Sequence, residues 1–309
     1  MSAGTESKTN REKFLEEMQK IAAEAAKKTP EELVFNYKGV LYPSSICSEE
    51  TFQALQSLEA REDDLLAVTY PKSGTNWVTK VLHEMLILVH NREITVDHAM
   101  LEFGKPEKVK YLKGQPSPRL FSTHMYYDDV PKSYFEKKTK FLLILRNPKD
   151  TAVSYFHFSN SNPVLPSFST WDEFFRAYMD GKVCYGSYFD HAVDWNKRID
   201  DENIMAITFE EMKEDYLSQL KRISDFFGLS LTEEQLALIE SKTTFKSMKE
   251  KSGDSHGKLG NVFFRKGEIG DWRNHFTEEQ SKEVDAKFEE CLAGTKLGQM
   301  LNYDKYCKF

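Results

Sequence analysis

The sequence predicts an α/β protein with a single main domain, in which helices flank a central, mostly parallel sheet. Short apolar runs near residues 65, 120, 140 and 204 are separated by segments with helical periodicity. The run at 140–145, KFLLIL, is apolar almost throughout, which is typical of a strand buried on both faces. A length of 309 residues suits one such domain, and 40% hydrophobic residues can supply its core.

Residues 1–30 are predicted to be a polar tail followed by a charged helix over 11–28, with the domain itself at 31–309. Apolar residues recur along that helix at the spacing of one face, and they are Phe14, Leu15, Met18, Ile21 and Ala22. A helix of this kind can dock on the domain or lie free in solvent. The sequence leaves both possibilities open.

Periodicity and turn residues predict the other elements. A small hairpin over 34–43 is expected to turn at Lys38 and Gly39. Thr232 and Gln235 form a capping box, because each can bond a free backbone N–H at a helix start. Further helices are predicted at about 49–57, 75–85, 150–158, 171–179 and 217–227.

The loop after the first strand has the composition of an anion site. Gly74 allows a ligand to approach the backbone, while Ser73 and Thr75 add hydroxyl donors beside the free N–H groups of a helix start. Lys72 supplies a full positive charge. The lysine precedes the loop's only glycine, unlike the ATP-binding pattern Gly-x-x-x-x-Gly-Lys-[Ser/Thr], which argues against a standard ATPase or GTPase. This loop alone could also be an ordinary turn with an exposed lysine.

Two other segments repeat this chemistry. Arg146 follows the strand at 140–145, and Ser154 lies one turn or more inside the next helix, so both could bond a phosphate. Arg265 and Lys266 precede Gly267 in a loop that could also be simply solvated. Arg146 could instead pair with a local carboxylate. Taken together, the three segments indicate a ligand with phosphate or sulfate at two separate points.

Composition excludes several classes of partner. A formal charge of −7 and a pI near 5.7 give no general attraction to nucleic acid or to an acidic membrane. The four cysteines contain no Cys-x-x-Cys pair, so a zinc site is not indicated. No signal-peptide core and no apolar run of about 18 residues is found. We therefore expect a cytoplasmic protein that binds neither membrane nor metal.

Four segments, in order along the chain, resemble the motifs of cytosolic sulfotransferases. They are residues 70–77 (YPKSGTNW), 146–154 (RNPKDTAVS), 243–245 (TTF) and 265–272 (RKGEIGDW). The resemblance spans about residues 35 to 300. It implies a P-loop-like phosphosulfate-binding loop, the donor 3'-phosphoadenosine 5'-phosphosulfate (PAPS) with product PAP, no metal, and a small hydrophobic acceptor with a hydroxyl or amine.

The same resemblance implies roles for individual residues. His124 falls at the position of the general base, and Lys72 would stabilise the leaving oxygen. The residues expected to contact the nucleotide are Lys72, Ser73, Gly74, Thr75, Asn76, Trp77, Arg146, Ser154, Phe209, Thr243, Phe245, Arg265, Lys266 and Gly267. The candidates for the wall of the acceptor pocket, chosen by position and type, are Phe103, Tyr126, Phe158 and Phe263.

The chain departs from the family pattern at three places. Ser122 stands where members commonly have a lysine, and Phe209 stands where a tyrosine contacts adenine. The family's dimer motif is degenerate within 273–282, so a homodimer is possible but is not inferred. Two alternatives stay open. One is a phosphoryl-transfer enzyme, which the missing Gly-Lys-[Ser/Thr] and the lack of evident magnesium carboxylates disfavour, and the other is a nucleotide-binding protein with little activity, which Ser122 and Phe209 suggest. The sequence does not identify the acceptor.

Overall fold

The computed structural model describes residues 10–96, 99–253 and 260–309. The predicted tail lies largely outside the described residues, since residues 1–9 are not among them. The strands are β1 (Val34–Tyr37), β2 (Val40–Pro43), β3 (Leu65–Thr69), β4 (Leu120–Thr123), β5 (Lys140–Leu145) and β6 (Ile204–Thr208).

The described helices cover most of the remaining chain. Those that precede β6 are α1 (Asn10–Ala25), α2 (Glu49–Leu55), α3 (Thr75–His90), α4 (Lys108–Gly114), α5 (Ser133–Glu136), α6 (Pro148–Ser161), α7 (Trp171–Met179) and α8 (Tyr188–Asn196). Those that follow it are α9 (Phe209–Glu214), α10 (Tyr216–Phe227), α11 (Glu233–Thr243), α12 (Phe245–Glu250), α13 (Gly260–Phe263), α14 (Glu278–Cys291), α15 (Lys296–Met300) and α16 (Tyr303–Cys307). Short 3₁₀ turns occur at Tyr127–Asp129 and Asp271–Asn274.

The central sheet contains four parallel strands in the order β4-β3-β5-β6. This arrangement confirms the predicted α/β fold with a parallel sheet. Leu65 pairs with both Leu120 and Lys140, so β3, β4 and β5 begin level with one another. Their carboxyl ends consequently meet at one edge of the sheet, where ligands of open α/β sheets bind.

Both faces of the sheet are covered by helices. Leu142 and Ile144 of β5 pack into one apolar cluster with α3, α10 and α11. Phe141, Leu143 and Leu145 point the other way, into a larger cluster that includes residues of α6, α7, α8 and α14. Burial on both faces is the reason that β5 reads as a continuous apolar run.

Helix α1 is docked on the domain. Ala25 belongs to the larger apolar cluster, and Ile21 packs against that cluster. The structure therefore selects the first of the two possibilities that the sequence left open. The predicted hairpin is also present, with Lys38 and Gly39 at positive φ in its turn. Among the described helices, none combines the length and apolarity needed to cross a membrane.

A buried ion pair joins the amino ends of β3 and β4. Arg119 donates from Nε to Oδ1 of Asp64 over 2.8 Å, and its Nη2 bonds the other carboxylate oxygen. The side chains of Asp64 and Arg119 are 0% and 3% exposed. Removing one member of such a pair leaves the other charge buried without a partner, which is strongly destabilising.

We predict that Asp64→Ala lowers the free energy of unfolding by about 3–5 kcal/mol, measured by urea denaturation. The neighbouring exposed residue supplies the matched control, since Asp63→Ala removes a carboxylate that faces solvent. Equal losses in the two variants would contradict a special role for the buried pair.

Candidate active site

A cleft opens beyond the carboxyl ends of the parallel strands. Together with its mouth it encloses about 1440 Å³ of empty space. Every strand of the sheet contributes to it through the chain that follows, namely Lys72 after β3, His124 after β4, Arg146 after β5 and Phe209 after β6. Parallel pairing thus brings together side chains that lie far apart in sequence.

The loop between β3 and α3 is shaped to receive an anion. Gly74 has φ +117°, and a Cβ there would lie 3.4 Å from the ring of Phe209. Helix α3 begins at Thr75, and no described side chain caps the N–H groups of its first turn. The Ser73 hydroxyl is buried and has no hydrogen-bond partner among the described residues. Uncapped donors at a helix start suit phosphate or sulfate.

The ammonium group of Lys72 lies against the ring of Phe158, which in turn packs against Phe263. Its Nζ lies 3.9 Å from the ring centre of Phe158 and 5.8 Å from that of Phe263. Burial, and then the charges of Arg146 and Arg265, lower the pKa of Lys72 to about 7. An anion bound beside Lys72 would favour its charged form and raise that pKa.

Arg146 is held by backbone carbonyls and by a ring. Its Nη1 and Nη2 donate to the carbonyl oxygens of Lys72 and Glu268, each over 3.1 Å. Its guanidinium lies 4.3 Å from the ring centre of Phe209. Burial lowers the pKa of Arg146, and its Nε has no partner in the described part of the chain. A buried donor without a partner points to a missing ligand atom.

Arg265 and Lys266 converge on one carboxylate, that of Asp271. Each cation lies 2.6 Å from one oxygen of Asp271. Burial acts to raise the pKa of Asp271, but the bonds from these two cations bring it well below its ordinary value. Gly267 has φ +68°, and a Cβ there would lie 2.3 Å from the ring of Phe245, so only glycine fits. The segment therefore presents cations beside an aromatic face.

An ordered chain of hydrogen bonds holds the edge of Trp77. The indole Nε1 donates to the Tyr216 hydroxyl over 2.9 Å, and that hydroxyl lies 2.5 Å from Oγ1 of Thr243. Thr243 donates in turn to the Ile239 carbonyl over 2.6 Å. A carbonyl can only accept, so Tyr216 must donate to Thr243. Trp77 is thereby locked in place, 5.4 Å from the ring of Phe209.

His124 has a defined tautomer. Its Nδ1 lies 2.7 Å from the carbonyl oxygen of Thr69. Because that oxygen only accepts, Nδ1 carries the proton and Nε2 keeps its lone pair. No described residue bonds to Nε2. Burial, and then the charge of Lys72, lower the pKa of His124 to about 4, against the bond to Thr69, which raises it. The imidazole is therefore neutral at pH 7 and can accept a proton.

Glu102 positions the end of β4. One of its carboxylate oxygens accepts the backbone N–H of His124 over 2.8 Å, and the other accepts the Thr123 hydroxyl over 2.9 Å. The ring of Tyr185 meets the His124 imidazole edge-on, with centroids 5.0 Å apart. Ser122 is buried, and its hydroxyl lies 2.8 Å from that of Thr79. No charge reaches the cleft from position 122.

Most of the expected site residues lie in the cleft wall. The candidates for catalysis and nucleotide binding found there are Lys72, Gly74, Thr75, Asn76, Trp77, His124, Arg146, Ser154, Phe209, Phe245, Arg265, Lys266 and Gly267. The candidates for the acceptor pocket found there are Phe103, Phe158 and Phe263. Ser73 and Thr243 are wholly buried behind this wall. The Thr243 hydroxyl already donates to the Ile239 carbonyl. Thr243 can therefore act on a ligand only indirectly, by holding Tyr216 and through it Trp77.

Tyr126 is the exception in the acceptor group, because it is not among the residues that line the cleft. Its hydroxyl lies 3.3 Å from the Ser187 carbonyl, to which it donates, and its ring meets His191 edge-on at 5.4 Å. Those contacts turn the side chain toward α8. The sequence pattern places an aromatic residue two positions after His124 but does not show which way it points.

The sequence analysis did not identify several residues that line the cleft or hold its lining residues in place. Glu102 and Tyr216 act through other residues, and neither lies in a recognisable motif. Met18 and Ala22 of α1 line the cleft, although the sequence shows only that they lie on the apolar face of a helix. Within the described ranges, no three metal-ligating side chains cluster in a way that could hold an ion.

The fold and the cleft define an α/β protein that binds an anionic ligand beside a neutral histidine. Comparison with known proteins places it in a family. Residues 62–296 match the family model described as "Sulfotransferase domain", and the chain belongs to the sulfotransferase family, as the sequence motifs predicted. It is therefore an enzyme of the transferase class.

Its relatives cover nearly the whole chain. The mouse protein named "Sulfotransferase 6B1" is 45% identical over 299 residues, which are 96% of this chain and 99% of that protein. The human protein of the same name is 45% identical over 97% of this chain and 99% of its own length. Human "Sulfotransferase 1C2" is 32% identical over 84% of this chain and 92% of its own length.

Solved structures agree with this assignment. Mouse sulfotransferase SULT7A1, crystallised in complex with PAP, superimposes with a TM-score of 0.78 at 36% identity, covering 88% of this chain and 99% of that one. Retinol dehydratase in complex with androsterone and PAP gives a TM-score of 0.69 at 21% identity, covering 89% of this chain and 94% of that one. At that identity the second likeness supports the fold alone.

We predict that nitrogen NMR at pH 7 shows His124 protonated at Nδ1 and unprotonated at Nε2, with the signal assigned by its loss in His124→Gln. Lowering the pH should leave His124 neutral until about pH 4, because burial opposes the charged form. The base form is the one present above the pKa, so it persists through pH 5. A proton on Nε2 at pH 7, or a midpoint near the ordinary histidine value of about 6.5, would contradict this.

Proposed function

We propose that this sulfotransferase moves a sulfuryl group from PAPS to a hydroxyl or amine of a small hydrophobic acceptor in the cytoplasm. The observation that carries the proposal is a neutral imidazole, His124, whose unprotonated Nε2 bonds to no described residue and which lines a cleft together with the cations Lys72 and Arg146. A base beside an anion site is what sulfuryl transfer to a protic acceptor requires.

The two anion sites suit the two ends of the donor. The loop at Lys72, with the uncapped start of α3, would hold the 5' phosphosulfate. Arg146, which has an unpartnered Nε, would hold the 3'-phosphate with the other cations of the cleft. The remaining residues proposed for the 3'-phosphate are Ser154, Arg265, Lys266 and Gly267. The complex of mouse SULT7A1 with PAP supports this choice of nucleotide.

Aromatic side chains between these ends would hold the adenine. Trp77 is fixed by Tyr216 and offers its face beside Phe209. Phe245, which lies against Gly267, also lines the cleft. Phe209 keeps a stacking surface without a hydroxyl, and the hydroxyl of Tyr216 instead fixes the neighbouring indole.

Arg265 and Lys266 already share a carboxylate partner. Both are paired with Asp271. A 3'-phosphate, with more charge and more acceptor oxygens than a carboxylate, can share or replace that pairing. Asp271 would then keep the two cations in position between turnovers.

The proposed transfer is a single in-line displacement. As Nε2 of His124 removes the acceptor proton, the acceptor oxygen or nitrogen forms a bond to sulfur, and the bond between sulfur and the 5'-phosphate oxygen breaks. Lys72 would neutralise the charge that develops on that leaving oxygen, and PAP departs. A positioned base typically contributes about 10²–10⁴-fold, and alignment of the reacting atoms supplies much of the remainder.

Ser122 affects the rate expected of this reaction. Its hydroxyl bonds Thr79 and brings no charge to the sulfuryl group. Lys72 would then carry more of the charge stabilisation at the reacting centre, and we expect slower transfer than with a lysine at position 122.

The proposal is tested by incubating the protein with radiolabelled PAPS and a panel of phenols, alcohols and amines. Labelled sulfate should appear on at least one acceptor, and ATP with magnesium should give no transfer. Tight binding of PAP by calorimetry without transfer to any acceptor would instead favour a nucleotide-binding protein with weak activity. Phosphorylated products in the ATP arm would overturn the assignment to sulfuryl transfer.

We predict that His124→Gln lowers turnover about 10²–10⁴-fold, because a positioned general base is lost. The dissociation constant for PAP, measured by calorimetry, should hardly change, since the base acts on the acceptor. A large loss of PAP affinity in this variant would show that His124 serves the nucleotide instead.

We predict that Arg146→Ala weakens PAP binding about 10- to 150-fold, the loss expected for a hydrogen bond to a charged group. Binding of the same nucleotide without its 3'-phosphate should weaken far less. The exposed Arg176, which pairs with Glu283 on the surface, supplies a control in Arg176→Ala. Equal losses for both nucleotides would rule out a contact between Arg146 and the 3'-phosphate.

A further inference from the structure

The apolar side of helix α1 contacts both the core of the domain and the cleft. Ile21 and Ala25 pack on the core of the domain, as described above. Met18 and Ala22, one turn apart, line the cleft instead. Ala23, adjacent to Ala22, is exposed. The helix thus contributes a short apolar stripe to the wall of the cleft.

Apolar residues near the hairpin join this stripe in the lining of the cleft, and the hairpin bonds a residue that packs on the histidine. Pro43 and Ile46, at the end of β2, line the cleft as well, and the Ile46 carbonyl accepts the N–H of Gly104 over 2.8 Å, next to Phe103. The hairpin formed by β1 and β2 is also linked to His124 through Tyr185. The Tyr185 N–H donates to the Leu41 carbonyl over 2.7 Å, and the Tyr185 ring packs on His124.

The part of the cleft wall formed by α1 and the end of β2 contains apolar residues and no charge, whereas the proposed nucleotide site contains several cations. The cations of the cleft follow β3 and β5 or lie in the loop that begins at Arg265. Met18, Ala22, Pro43 and Ile46 carry no charge and no polar side-chain donor. Apolar residues with a single polar group at the reacting position are the usual lining of a site for a hydrophobic small molecule.

We propose that α1 forms part of the acceptor pocket and that Met18 and Ala22 set the size of the hydrophobic acceptor that can reach His124. This inference rests on the proposed function, since it concerns the acceptor of that reaction. Ala22 has the smallest side chain on the stripe, so a larger residue there would occupy space intended for the acceptor. Met18 is flexible and can adapt to acceptors of different shape.

The test compares the same substitution on adjacent residues of α1. Ala22→Phe should lower kcat/KM for a bulky fused-ring alcohol at least about tenfold relative to a single-ring phenol, because small changes of volume in an apolar pocket have effects of this size. Ala23→Phe, on the exposed face, should leave that ratio unchanged. PAP affinity should be the same in wild type and in both variants.

Two results would overturn the inference. One is an equal change in the acceptor ratio for Ala22→Phe and Ala23→Phe, and the other is a loss of PAP affinity in Ala22→Phe as large as its loss of activity. If Ala22→Phe does not fold, Met18→Ala gives the opposite test, because a larger pocket should improve the bulky acceptor relative to the small one. No change of that ratio would also overturn the inference.

The same design separates this inference from the proposed function. If the wild type transfers sulfate to no acceptor, the proposed function fails. In that case, calorimetry can still measure how tightly each of the two acceptors binds the complex of the protein with PAP, in the same variants. Those dissociation constants test whether α1 forms part of the acceptor pocket. A selective loss for the bulky acceptor in Ala22→Phe would support α1 as a pocket wall, and equal affinities in all variants would reject it.

Discussion

The parallel pairing of β3 with β4 and β5 is the constraint on which the site depends. Val68 pairs with Thr123, and Thr69 pairs with Ile144, so the three strands end together. The bond from His124 Nδ1 to the Thr69 carbonyl then ties the chain after β4 to the end of β3. A slip of one residue in this register would turn the strand side chains to opposite faces and separate the base from the loop at Lys72.

The crowding of positive charge in the cleft follows from that register. Lys72, Arg146 and Arg265 approach one another closely enough that the two guanidinium charges help to lower the pKa of the lysine. The protein offsets this repulsion with the rings of Phe158 and Phe209 and with the carboxylate of Asp271. The cations are already in position, so an anionic nucleotide would meet a preorganised site.

The acceptor side is built on a different physical basis. The walls proposed for it are apolar and come from separate parts of the chain, including α1, the end of β2 and the aromatic residues Phe103 and Phe158, all of which line the cleft. Such a surface recognises shape and volume more than charge.

The sequence by itself determined the class of fold, the β5 boundaries, the family and most of the residues that the structure brings together in the cleft. These follow from local patterns, since a continuously apolar strand and a lysine before a glycine at a helix start can be recognised without distant contacts. Only the tertiary structure decided that α1 lines the cleft, that Tyr126 turns away toward α8, and that Glu102 and Tyr216 position His124 and Trp77. Each of these depends on contacts between residues distant in sequence, which periodicity and composition do not encode.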